Sequence, residues 1–203
     1  MAFFRYSGWK TVGCSVIGPK HKKQGTPNQD YYKIFHGSGY VIAVVSDGLG
    51  SHSHSDIGSK IACSSVINAV QAWLKEEKRK DSDLLRLIQT FWLMGIRPLD
   101  ASTCGATCLW IVAWNTGEVL TGRLGDGVIL VDTEEESPLL LEDKKEVFSN
   151  QTEALSERGI LSKWEIRKIS LKKGACICLM TDGISEDLNR EKLPQVIKIF
   201  RQL

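Results

Sequence analysis

The chain has 203 residues, 42% of them hydrophobic and 25% charged, with a formal net charge of +2. That length suits a single domain with a proper core, and so small a charge makes no electrostatic case for nucleic acid as a partner. No apolar run approaches the roughly 20 residues of a membrane span, and the N-terminus, MAFFRYSGWK, turns polar too early for a secretory signal. A cytoplasmic protein is therefore expected. Its six cysteines (Cys14, Cys63, Cys104, Cys108, Cys176 and Cys178) form no CxxC pair and read as reduced, small core residues.

Val12, Cys14 and Val16 alternate with smaller or polar neighbours, which predicts a strand over Trp9–Gly18. Lys20, His21, Lys22 and Lys23 follow in a basic stretch that reads as a solvated loop. Asn28-Gln29-Asp30 leads into a strand over Tyr31–Phe35, and His36-Gly37-Ser38-Gly39 turns it back as a hairpin. The next strand, Val41–Val45, is short and rich in β-branched residues, and it ends abruptly in Ser46-Asp47-Gly48. A buried strand that delivers a carboxylate to its own end must find that carboxylate a partner, and a metal ion is one of the few strong enough.

The loop Gly48–Ser55 is polar. Its His52 and His54 read as plain loop histidines, with metal ligation or proton donation as the alternative. Apolar residues then recur at helical spacing over Asp56–Glu77, with Ser55 as a cap and Asp56 in the first turn. A second helix is expected over Asp83–Met94, after a solvated, charged Lys75–Lys80. Cys108–Ala113 is a continuous apolar run, as in a strand covered on both sides, and it turns at Asn115-Thr116-Gly117 into Glu118–Leu124. Val128–Val131 is a further short strand. Glu134–Glu136 reads as an exposed acidic turn and Asp143–Ser162 as a polar flap. Trp164–Leu171 and Ala175–Met180 complete the strands, and Arg190–Arg201 is a closing helix. This order lacks the regular strand-helix alternation of a parallel sheet, so the expectation is α+β, with antiparallel sheets and helices on their outer faces.

The ending of the Val41 strand recurs. Cys176–Met180 runs into Thr181-Asp182-Gly183, and Val119–Leu124 runs into Gly125-Asp126-Gly127. One Asp-Gly is an ordinary turn. Three with the same grammar at strand ends offer three converging carboxylates, the oxygen donors that hard cations such as Mg²⁺ and Mn²⁺ prefer.

Five motifs carry a resemblance: Asn28-Gln29-Asp30, Val45–Gly50, Gly105-Ala106-Thr107, Leu124–Gly127 and Met180–Ile184. In this order they resemble the metal-dependent type 2C protein serine/threonine phosphatases (the PPM family), in particular their short bacterial branch. The resemblance implies one phosphatase-like domain over residues 1–203. Its fold would be a four-layer α-β-β-α sandwich of two antiparallel sheets flanked by helices, with two Mg²⁺ or Mn²⁺ ions at one edge. Asp47 resembles the carboxylate that bridges the two metals, and Gly48 the residue whose carbonyl binds one of them. Asp182 resembles a first-metal ligand, Asp30 a residue near the second metal, and Asp126 the ligand of a third, weaker site. Gly105-Ala106-Thr107 resembles a structural element that permits close packing beneath the site.

The implied reaction is hydrolysis of phosphoserine or phosphothreonine in proteins by a water that the metals activate, with Asp47 and Asp30 at its centre. The implied partner is a phosphoprotein, the target of a partner Ser/Thr kinase. The family places an Arg before the Asp30 motif to grip phosphate; here Lys22, Lys23 and His21 are the candidates. Leu49 stands where many members have a His. The family pattern also continues into a further Asp-bearing strand, which the sequence does not reach by Leu203. These departures motivate an alternative class, a weak or inactive phosphatase-like module that binds phosphoproteins in regulation.

Overall fold

The computed structural model describes residues 8–132, 138–142, 152–159 and 161–201. The acidic run Glu134–Glu136 and half of the expected flap (143–151 and 160) lie outside the described residues. Eight strands form two antiparallel sheets. In the larger, β1 (Asp30–Gly37), β2 (Tyr40–Asp47), β3 (Cys108–Trp114), β4 (Glu118–Leu124) and β7 (Glu165–Ser170) lie side by side in that order. In the smaller, β5 (Val128–Val131) is central, with β6 (Leu139–Glu142) and β8 (Ile177–Met180) on either side. The helices are α1 (Pro19–Gln24), α2 (Ser55–Trp73), α3 (Asp81–Gly95), α4 (Asp182–Ser185) and α5 (Leu193–Arg201).

Period-2 alternation explains the layering. On β2, Ile42 and Val44 face α2 and α3, while Val41, Ala43 and Val45 face the second sheet. On β3, Cys108, Trp110 and Val112 go one way, and Leu109, Ile111 and Ala113 the other. Both faces of these strands are covered, so they read as continuous apolar runs rather than as alternating ones. On β5, Ile129 and Val131 face the first sheet, while Val128 and Leu130 face α5 through Leu193 and Ile197. Three cores therefore separate four layers: α2/α3, the five-stranded sheet, the three-stranded sheet and α5. This is the expected α-β-β-α sandwich.

On α2, Ser59, Ala62, Cys63, Val66, Val70 and Trp73 fall on one buried stripe. Trp92 of α3 is wholly buried, and its indole N–H donates to the Gly58 carbonyl at 3.1 Å. Truncating such a tryptophan to Ala costs on the order of 3–5 kcal/mol. A two-residue turn, Ser38-Gly39, joins β1 to β2, with Gly39 at φ +84°. Among the described residues no helix is long and apolar enough to cross a membrane.

Three expectations need correction. The basic stretch is helix α1, not a loop. Pro19 starts it, Gly25 ends it in the left-handed region (φ +67°), and His21, Lys22 and Lys23 sit in the last turn, where the helix dipole favours positive charge. Trp9–Gly18 is not a regular strand. Val16 is 78% exposed and Cys14 is also exposed, so neither face offers enough apolar surface to bury. Side chains tie it down instead: Trp9 Nε1 donates to the Trp114 carbonyl at 3.2 Å, and the Tyr32 hydroxyl to the Gly13 carbonyl at 2.9 Å. The cysteines divide. Cys63, Cys104 and Cys108 are buried, whereas Cys176 and Cys178 are only partly covered. Strand β6 and the single turn α4 are not anticipated by the pattern.

Candidate metal and phosphate site

Asp47 ends β2, and its backbone is held on both sides by one residue. Its N–H donates to the Thr107 hydroxyl at 2.9 Å, and its carbonyl accepts from the Thr107 N–H at 2.8 Å. The hydroxyl of Ser46, which is fully buried, donates to the Thr107 carbonyl. Beyond Asp47, Gly48 bridges to Ala106 and Leu49 N–H donates to the Gly105 carbonyl at 2.9 Å. A side chain at Gly48 would put its Cβ 2.5 Å from the Ser55 carbonyl oxygen, so the close approach of α2 demands glycine. The strand end is a fixed mount, and Gly105-Ala106-Thr107 is its base.

Asp30 lies directly opposite Asp47 in the β1–β2 register. Its N–H donates to the Asn28 side-chain oxygen at 3.2 Å, and its carbonyl accepts from the Ser15 hydroxyl, which in turn accepts from the Asn28 amide at 2.7 Å. In the smaller sheet, Val128 pairs with Met180. Asp126 stands two residues before that pair and Asp182 two residues after it. The two sheets thus each bring two aspartates to one end of the sandwich. Gly183 lies beside Asp30, since a Cβ there would be 4.0 Å from Asp30 Oδ2. Thr152 donates to Asp126 Oδ2 at 2.6 Å.

The electrostatics reflect this crowding. Burial is the largest cause that pushes the Asp47 carboxyl up to about 8; the charges of Asp30 and Asp182, a hydrogen bond to Asp182 and the charge of Asp126 add to it. Burial also raises Asp30. The Thr181 hydroxyl that bonds to it opposes the rise, the Asp182 charge adds to it, and the His21 charge opposes it. One Asp30 oxygen, Oδ1, is buried without a partner. Four acids crowded at one point, one with an orphaned oxygen, make a donor set that fits a hard divalent cation. Such a cation would balance the negative charge that raises Asp47. Among the described residues no group of three or more Asp, Glu, His or Cys side chains is, as the side chains stand, placed to hold a metal ion, so a cation would draw these carboxylates together.

The remaining candidates fall in different places. His21 is half-buried on α1 and its charge reaches Asp30, while Lys22 and Lys23 are exposed on the same helix. His52 and His54 turn away from the carboxylates. His52 Nδ1 accepts from Gly105 N–H at 3.0 Å, and His54 Nδ1 is 3.2 Å from the Thr103 hydroxyl. Both act as loop supports, in line with the plainer reading. Sequence reasoning missed the hydroxyls of Ser46, Thr107, Thr152 and Thr181. Only their adjacency to the Asp-Gly turns signals Ser46 and Thr181, and nothing local signals Thr152.

A family profile described as protein phosphatase 2C matches residues 17–203. The chain belongs to the protein phosphatase 2C family. Among curated proteins no relative matches it. Solved structures of phosphatase 2C domains share its fold. The photosystem II phosphatase PBCP gives a TM-score of 0.60 at 18% identity, over 89% of this chain and 68% of its own. The phosphatase domain of SpoIIE from Bacillus subtilis, with a fragment of its regulatory domain, gives 0.58 at 14% identity, over 86% and 48%. RsbX, solved in complex with magnesium, gives 0.54 at 17% identity, over 86% and 80%. At these identities the likeness is one of fold. The chain spans about half the length of the SpoIIE structure (48%) and of a C. elegans sex-determining protein (53%).

Proposed function

We propose that this phosphatase 2C chain hydrolyses phosphoserine and phosphothreonine in proteins with Mg²⁺ or Mn²⁺ as cofactor. The observation that carries the reading is the placement of Asp47, a half-buried carboxylate whose proton affinity is raised first by burial and then by three further aspartates around it. A protein keeps such repulsion at one point when a cation is meant to relieve it. Asp47, with the Gly48 carbonyl beside it, Asp182 and Asp30 would hold two ions, and Asp126, held by Thr152, would hold a third and weaker one. When bound, the ions lower the pKa of water and neutralise phosphate charge.

The chain's own groups do the rest. Thr107 fixes the Asp47 backbone so that the carboxylate needs no reorganisation. The Thr181 hydroxyl orients Asp30. His21, Lys22 and Lys23 on α1 supply positive charge for a phosphoryl group, as point charges rather than as the bidentate fork of an arginine. The physiological partner is a phosphoprotein, the product of a Ser/Thr kinase.

The test is hydrolysis of a phosphothreonine peptide by this chain with Mn²⁺ and with chelator. Turnover that requires Mn²⁺ is the expected result. Turnover that persists in chelator, or tight peptide binding without any turnover at saturating Mn²⁺, would refute the proposal.

A further inference from the structure

Cys176 and Cys178 face the same side of the chain around β8, with their sulfurs 3.9 Å apart and partly buried. The pair lies four and six residues before Asp182, against the core that α5 builds on the smaller sheet. Leu130 and Ile197 supply apolar cover, and the Arg201 guanidinium, paired with Asp132, stands beside the sulfurs. Asp132 also anchors the backbone here, since its N–H donates to the Cys176 carbonyl at 2.9 Å.

Two thiols this close have two chemistries open to them, a disulfide or a shared soft ion, and geometry separates these. Residues i and i+2 of an extended strand have parallel Cα–Cβ bonds, roughly 6.6–6.8 Å apart. A disulfide needs Cβ atoms about 3.5–4.5 Å apart. Closing one would buckle the backbone at Ile177, which the ladder holds opposite Val131. A bridging ion needs no such movement, because the sulfurs already converge. Zinc is a poor fit, since it takes four ligands, and among the described residues no set of three ligating side chains forms around the pair. A soft monovalent ion is content with two thiolates.

We infer that Cys176 and Cys178 form a two-thiolate site for a thiophilic monovalent cation, Cu(I) being the physiological representative. Binding forms two S–Cu bonds and releases the two thiol protons to solvent, with no change of oxidation state. The hydrogen bond from Cys178 is the main factor that lowers Cys176, with Arg201 acting the same way and burial and Asp132 opposing; the same bond, burial and the charges of Cys176 and Asp132 push Cys178 up, so its proton leaves only as the ion binds. The ion would pin β8 four residues ahead of Asp182.

The experiment is an anaerobic titration of the reduced chain with Cu(I), in competition with bathocuproine disulfonate. Wild type and Cys14→Ser should each hold one equivalent. Cys176→Ser and Cys178→Ser should each bind at least about 10²-fold more weakly, with thermal unfolding curves within a few degrees of wild type. X-ray absorption at the copper edge should give two sulfur neighbours. Serine variants that bind Cu(I) as tightly as wild type would overturn the site. So would peroxide closing the pair to a disulfide (a loss of two hydrogens by mass) without lowering the melting temperature, because the strand would then bend freely.

Discussion

The two sheets hold their aspartates in different ways. In the larger, Asp30 and Asp47 are a paired position of the ladder, and Asp47 is clamped from the far side by Thr107. In the smaller, pairing stops at Val128 and Met180, and Asp126 and Asp182 lie beyond it on a turn and on the one-turn helix α4. The strands differ in kind as well, since β2 has eight residues and β5 and β8 four each. A ladder position can be placed to a fraction of an ångström and cannot move alone. A turn can adjust to what it binds. Under the proposed function the bridging role falls to Asp47, the clamped member of the rigid pair, while Asp126 and Asp182 on the turns would fill adaptable outer roles.

Removing the central ligand should have the largest effect. Asp47→Asn is expected to lower Mn²⁺-dependent turnover by on the order of 10³, several kcal/mol of transition-state stabilisation. The chelated variant should melt no lower than wild type, because a carboxylate under repulsion has been removed. A variant that keeps activity would erase the distinction between the two halves. Gly127→Ala tests the mount of the smaller sheet. Its φ is +112° and a Cβ would lie 2.7 Å from the Met180 carbonyl oxygen, a backbone atom that cannot swing away. A loss above about 2 kcal/mol in denaturant unfolding is expected, against about 1 for Gly174→Ala, where φ is +91° but the space is open.

Thr107→Val keeps the shape but strands the Asp47 N–H without its acceptor. It should cost about 1–3 kcal/mol and weaken Mn²⁺ binding, with Thr107→Ser recovering both. Asp126→Asn, on the adaptable side, should lower turnover only about tenfold, or ~1.4 kcal/mol. The last effect is on pH. The folded Asp47 carboxyl titrates near 8, against 3.8 for the exposed group. Its stabilising contribution is therefore whole below about pH 4 and is lost as pH rises through about 8. The chelated protein should melt a few degrees lower at pH 8.5 than at pH 5, with a shallower slope in Asp47→Asn. Saturating Mn²⁺ should reverse the slope, since a cation selects the deprotonated form.

The layering was legible because strand periodicity and helix periodicity are local signals that tertiary packing here only reinforces. Val41–Val45 read as a buried strand and Cys108–Ala113 as a strand covered on both sides, and the structure covers both faces of each. The three Asp-Gly turns were legible for a similar reason, because a carboxylate at the end of an apolar run is costly wherever the run goes. What failed was judged on one face at a time. The alternation of Val12, Cys14 and Val16 satisfies the strand pattern, yet no neighbour covers it. Lys20–Lys23 looked like a loop, since charge outweighed the Pro19 and Gly25 that cap α1. The supporting hydroxyls were invisible because Thr107 meets Asp47 across 60 residues of sequence and Thr152 meets Asp126 across 26.

The Ser38-Gly39 turn lies at the opposite end of the β1–β2 hairpin from Asp30 and Asp47. Seven steps along the strands separate them, roughly 24 Å. Surface turns ordinarily accept an added or deleted residue at little cost. Here a single insertion absorbed by the ladder would slide one strand by a residue, and a strand so shifted turns every side chain to its other face. Asp30 would then point to the other face of the sheet, away from Asp47, while the turn itself stayed well formed. Under the proposed function, the length of a solvent-facing loop would thus set metal affinity, and length variants at Ser38-Gly39 should stay folded yet lose turnover.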